Sequence, residues 1–339
     1  MPQLLNDLQT LYARETSRET GFWSAAPLYL GGGNATKNRA KTLLVDPNED
    51  SIDHDEPWLT FMALWGLFNS GDPADYKHGP TDAIAELLEK LFPLLHPPHP
   101  VTRVEAAKLE VQTPAISGFD DVIRQITRGA CPHPYPDRQK EITTRVINRN
   151  NRLLEGNSQF DAVLTLIMED DSRLVVFIEA KFLSDISYQV SYSPVRNQIA
   201  RNLDAILELK ERWAKNYLNK EKPEWPENID FRYLLLTPGM FRPDYRPFVA
   251  RPKHRWPGAE TSRFFCHKMK EYREEPLTLL SDIPHRSAAS YDISEVQQRI
   301  GWASFEDIVM LVQKHQSLAG TDLATFTEFF KQRAIKPIT

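Results

Sequence analysis

Cysteine is nearly absent from this chain: Cys131 and Cys266 are the two in 339 residues, and they lie far apart. That argues against a disulfide framework and for a reducing compartment, the cytoplasm. No apolar run approaches the roughly 18 residues that cross a bilayer, and the start, MPQLLNDLQTLYARE, lacks a basic-then-apolar signal pattern. No membrane partner is expected. Positive charge is not in excess either: 41 Lys and Arg face 46 Asp and Glu, a net of -5. A general nucleic-acid coat protein does not look like this, although a local basic groove can hold phosphates on an acidic molecule. Internal repeats and low-complexity tracts are lacking, and at about 150 residues per domain the length allows one large or two modest domains.

Several motifs lack their completing parts. Gly31, Gly32, Gly33 and Asn34 precede Lys37 without the Gly-Lys-Ser/Thr of a phosphate loop, and read as a flexible loop. His96 and His99, and Cys131 with His133, have no matching pair to complete a zinc site. Asp50, Asp53, Asp55 and Glu56 lack the spacing of a cation-binding loop, and read as a solvated turn.

What the chain does have is concentrated between Glu155 and Lys181, EGNSQFDAVLTLIMEDDSRLVVFIEAK. Two runs rich in Val, Ile, Leu and Phe, 160–168 and 174–182, flank the acidic break Glu169-Asp170-Asp171-Ser172, which predicts a β-hairpin. Side chains alternate along a strand, so Glu179 and Lys181 share a face. An odd, three-residue connection at 169–171 sets Asp161 opposite Glu179, whereas a two-residue turn turns it away. The odd loop, or a bulge that restores the parity, is expected. The lysine, at a strand end, is expected to be exposed. Val175 to Ile178 form an unbroken apolar run, as in a strand covered on both faces, which weighs against a surface ion pair. Two converging carboxylates repel and are costly to desolvate unless a cation or proton lies between them, and hard oxygen ligands suit Mg2+, with Mn2+ as a substitute. Such a site supports phosphodiester hydrolysis, with Lys181 at the attacking water or the scissile phosphate.

Asp161 followed by Glu179-Ala180-Lys181 at the end of an apolar strand resembles the PD-(D/E)XK superfamily of restriction-endonuclease-like nucleases, over roughly residues 136–236. Phe160 stands where the family name has proline. The resemblance implies Asp161 and Glu179 as metal ligands and Lys181 as the catalytic lysine. It also makes Glu155 a further metal ligand, like the acid that members supply from the helix or loop entering the core. Gln198, on a helix expected over about 195–217 with Ile199, Leu203, Ile206 and Trp213 at helical spacing, resembles the glutamine some members carry there. Those members often place a tyrosine four residues on, where this chain has Asn202.

The basic groove is expected between 242 and 256, where Arg242, Arg246, Arg251, Lys253 and Arg255 interleave with Tyr245, Phe248 and Trp256. Prolines 243, 247, 252 and 257 keep this stretch out of helix. It reads either as a nucleic-acid contact or as a solvated linker pinned by proline.

The expected architecture is α/β: a restriction-endonuclease-like mixed sheet flanked by helices, with helical N- and C-terminal additions. Residues 1–120 are read as mainly helical, with helices at 58–68 and 81–95; 121–240 hold the core, with a further strand over 231–236. Residues 241–339 combine the basic segment with helices at 293–300, 304–315 and 323–333. Ser304 and Thr321 stand where helix N-caps are useful, with Asp307 in a first turn. The expected function is a Mg2+-dependent nuclease acting on DNA, in the restriction or phage-defence setting that the resemblance implies; paired cutting of two strands would call for a homodimer. An inactive nucleic-acid-binding scaffold and an RNA-directed nuclease are the alternatives.

Overall fold

A computed structural model of the chain describes residues 8, 10–11, 23–24, 56–68, 81–95, 100–113, 124, 158–182, 197–214, 229–241, 264–283, 285–286, 293–332 and 335. In chain order the elements are β1 (Trp23–Ser24), α1 (Glu56–Phe68), α2 (Asp82–Leu91), β2 (Val101–Thr113), β3 (Ser158–Met168), β4 (Arg173–Ala180), α3 (Gln198–Ala214) and β5 (Ile229–Thr237). After a 3-10 turn at Gly239–Phe241 come α4 (Phe264–Glu274), α5 (Leu277–Asp282), α6 (Ile293–Gln298), β6 (Ile300–Ser304), α7 (Phe305–His315) and α8 (Gly320–Gln332). None of the described helices is long and apolar enough to cross a membrane.

The strands form one mixed sheet in sequence order, with the two-residue β1 at its edge. β3 runs antiparallel to both β2 and β4, β1 lies parallel to β2, and β5 and β6 continue parallel to β4. The β3–β4 hairpin has the expected odd loop. Met168 N–H donates to Ser172 O at 2.9 Å, and Asp171 N–H donates to Met168 O at 3.0 Å. Asp171 adopts φ 62, the left-handed conformation that closes a three-residue loop. Asp170 Oδ1 braces the turn by accepting from Ser172 N–H at 3.0 Å and Oγ at 2.6 Å. The register pairs Ala162 with Ile178, so the next rung sets Asp161 against Glu179.

Helices cover both faces, and the strand period sorts the core. Leu164, Leu166, Val176, Ile178, Leu234 and Leu236 join α1, α2, α7 and α8 on one side. Val163, Val175, Phe177, Phe231, Tyr233 and Leu235 join α3, α4, α5 and α6 on the other. Burial of each large side chain contributes roughly 1.5–3 kcal/mol, so this two-sided core holds the hairpin in place.

Three strands were not expected: the two-residue β1, and β2 and β6. Val101–Thr113 has β-branched residues towards both ends, but its centre, Glu105, Ala106, Ala107 and Lys108, has little strand preference. It is nevertheless paired along its length with β3. The helix expected over 293–300 stops at Gln298, and Ile300–Ser304 is a fully buried strand on β5. Gly301 permits this: a Cβ there would lie 2.5 Å from the Phe92 ring at the end of α2. Ser304 caps α7 as expected, its hydroxyl accepting from Asp307 N–H at 3.1 Å while Asp307 Oδ2 accepts from Ser304 N–H at 2.9 Å. Thr321 lies inside α8, which begins at Gly320.

Candidate active site

The site lies at the C-terminal end of β4. The apolar run places Glu179 as the last outward-alternating residue before the strand leaves the sheet, with 1% of its surface exposed. Here the β3–β4 ladder stops at Ala162 and Ile178, and Asp161 Oδ2 accepts the Ala180 N–H at 2.7 Å. A side-chain carboxylate thus satisfies a strand amide, and this ties Asp161 to the acid-x-lysine segment.

Lys181 is 6% exposed, which corrects the expectation of an exposed lysine at a strand end. The physical reason is the first turn of α1, which closes over it. Lys181 Nζ lies 2.8 Å from Glu179 Oε1, and donates to Glu56 Oε2 at 3.0 Å and to Ala180 O at 2.9 Å. Glu56 Oε1 also accepts the Phe182 N–H at 3.2 Å. Glu56 is therefore no residue of a solvated turn, as its acidic neighbourhood had indicated. It opens α1, where the exposed N–H groups of a helix favour an acid, and it clamps the segment after β4.

From the other face α3 supplies two amides. Gln198 Nε2 donates to Glu179 Oε1 at 2.5 Å, and Asn202 Nδ2 donates to Glu179 Oε2 at 2.8 Å. Four residues apart, they share one side of the helix. Asn202 thus holds Glu179 from the position where the resemblance leads one to look for tyrosine. Tyr233 of β5 lies buried nearby, its phenol pushed well up by loss of water and then by the charge of Glu179.

Electrostatics set this cluster apart. Glu56, Asp161 and Glu179 surround one ammonium. Desolvation raises the Glu179 carboxyl, with Lys181 opposing it. Asp161, partly exposed at the strand edge, is pushed well up by loss of water first and by Glu179 second. Lys181 is opposed by its own desolvation, but Glu179, Glu56 and Asp161 outweigh that and raise it well above the ordinary lysine range. The negative charge exceeds what one lysine neutralises, and the oxygen donors are of the hard kind that suits Mg2+ or Mn2+. Among the described residues, no three His, Cys, Asp or Glu side chains stand grouped around a metal position. What joins the acids is Lys181.

Asp161, Glu179, Lys181 and Gln198 therefore meet as the sequence led one to expect. Glu155 and the basic residues Arg242, Arg246, Arg251, Lys253 and Arg255 lie outside the described residues. Sequence reasoning missed Glu56 and the role of Asn202. The one available signal for Glu56 was its place two residues before the helix expected over 58–68, followed by a proline, as suits an acid in a first turn.

No protein-family model matches the chain, and neither does any curated protein or any solved structure.

Proposed function

We propose that the chain is a metal-dependent nuclease of the PD-(D/E)XK kind, with a restriction-endonuclease-like core, that hydrolyses phosphodiester bonds in DNA. The observation that carries this is the meeting at the end of a buried strand of Lys181, paired with Glu179 and Glu56, and Asp161, bonded to the Ala180 N–H between them. Glu56 supports it further, because it holds the Lys181 ammonium and the Phe182 N–H beside the two acids. Gln198 sits on the helix after the acid-x-lysine strand, as the resemblance leads one to look for it.

Asp161 and Glu179, with Glu155 as the further acid that the resemblance implies, would hold Mg2+ or Mn2+, and the bound ion would supply Lewis-acid polarisation of the phosphoryl group and a lowered water pKa. Lys181 offers its ammonium to the attacking water or the charged phosphoryl oxygens, stabilising charge that grows in the transition state. Gln198 and Asn202 hold both oxygens of Glu179, so its carboxylate stays aimed without reorganising during the reaction. The basic stretch Arg242, Arg246, Arg251, Lys253 and Arg255 is the nucleic-acid contact of this reading. The setting that fits is the cytoplasm, with restriction or phage defence as the role and a homodimer as the form that cuts both strands.

The test is incubation with supercoiled plasmid, linear duplex, single-stranded DNA and RNA, in Mg2+, Mn2+ or chelator. Lys181→Ala and Glu179→Gln, their folding checked by circular dichroism, run alongside. Metal-dependent DNA cleavage that disappears in both variants is expected. Cleavage of RNA alone would move the substrate class, and wild-type rates in either variant would overturn the site. Absence of cleavage on every substrate would favour an inactive binding scaffold.

A further inference from the structure

A second buried polar cluster lies behind α3, built from the C-terminal third of the chain. Asp282, at the end of α5, collects three donors on Oδ2: Lys268 Nζ at 2.8 Å, Asn197 Nδ2 at 3.3 Å and the Tyr272 hydroxyl. Asn197 Nδ2 also donates to Tyr272 Oη at 2.7 Å, and Asn197 Oδ1 accepts the Ala200 N–H at 3.0 Å, capping α3. Lys268 Nζ stands 5.4 Å from the centre of the Tyr272 ring. Asn197, Tyr272 and Asp282 are all buried.

The residue after Asn197 is Gln198, and Asn202 follows one turn on. The apolar stripe of α3, with Ile199, Leu203 and Ile206, buries the helix but does not by itself fix its rotation, because dispersion and the hydrophobic effect are not directional. Hydrogen bonds are. We propose that Asn197, Tyr272, Asp282 and Lys268 are positioning residues that lock the start of α3, so that Gln198 and Asn202 reach the two oxygens of Glu179. The catalytic consequence rests on the nuclease reading; the positioning itself does not.

The experiment uses the full chain with Tyr272→Phe, which removes the hydroxyl and keeps the ring, and Asn197→Ser, which keeps a capping oxygen and loses the link to Asp282. Ile308→Val in α7, on the opposite face of the sheet, is the control for a general loss of stability. Two readouts are taken: kcat and KM for the cleaved substrate, and the side-chain amide signals of Gln198 and Asn202 in 15N spectra. In both network variants kcat should fall about tenfold or more, the usual scale for partners that orient a ligand. KM should stay within about twofold, the two amide signals should move, and the control should keep wild-type kcat. Unmoved amide signals overturn the proposal whatever happens to the rate, and so does wild-type kcat in both network variants of an active protein. Moved signals in a protein that cleaves nothing would support the positioning and overturn the nuclease reading.

Discussion

Two of the buried charged clusters among the described residues lie on neighbouring elements and are balanced differently. Behind α3, one buried Asp282 carboxylate meets one Lys268 ammonium, with Tyr272 and Asn197 completing its shell, and Lys268 reaches the more exposed Glu271 at 3.0 Å. At the end of β4, Glu56, Asp161 and Glu179 share Lys181. A buried pair with matched charge and satisfied donors can be neutral or favourable to the fold, whereas uncompensated buried charge opposes it. The first cluster therefore serves structure, and the second stores a cost that a cation would relieve.

Breaking the balanced cluster should give the largest effect. Asp282→Ala leaves Lys268 with only the more exposed Glu271, strips Tyr272 and Asn197 of their shared acceptor, and should cost about 3 kcal/mol in urea denaturation. A loss well under about 1 kcal/mol would place that cluster among weak surface pairs. Next comes the unbalanced cluster: Lys181→Ala should reduce DNA cleavage by about a hundredfold or more, the scale of removing a transition-state donor.

Filling the unbalanced cluster should stabilise the protein. Mg2+ at ten times its dissociation constant would add about 1.4 kcal/mol by binding the folded state alone, read as a rise in melting temperature that Glu179→Gln diminishes. A wild-type melting temperature indifferent to Mg2+ and Mn2+ would remove the metal from the site.

The smallest change is the most diagnostic. The Asp161 carboxyl has a raised pKa in the folded protein. Its contribution to stability is thus full below about pH 4, the unfolded carboxyl range, and is lost as pH rises through the folded value. Asp161→Asn keeps an acceptor for the Ala180 N–H and removes the charge. With chelator present it should stabilise the protein by about 1 kcal/mol at neutral pH, a gain typical of relieving a strained functional site, and the gain should shrink in acid. A loss of stability at neutral pH would mean that the acids are not in excess.

Legibility followed the same division. The hairpin was readable because alternation has a period of two and a three-residue loop fixes parity; these local facts bring Asp161, Glu179 and Lys181 to one face. Gln198 was readable only through the resemblance, which places a glutamine on the helix after the acid-x-lysine strand; spacing gave the helix and not the role. β2 was not, because Glu105, Ala106, Ala107 and Lys108 carry no strand preference of their own and take it from pairing with β3. β6 was not, because five residues containing a glycine between two helices become a strand only where β5 offers an edge and Phe92 needs the space above Gly301.

The sequence alone determined the chemistry at the strand end: an acid opposite an acid, and a lysine beside the second. Only the tertiary structure decided what surrounds it. Glu56 reaches Lys181 across 125 residues of chain, and Tyr272 reaches Asn197 across 75. Such contacts leave no periodic trace, because they arise from how separate elements dock on a shared core rather than from the conformational preferences of neighbouring residues.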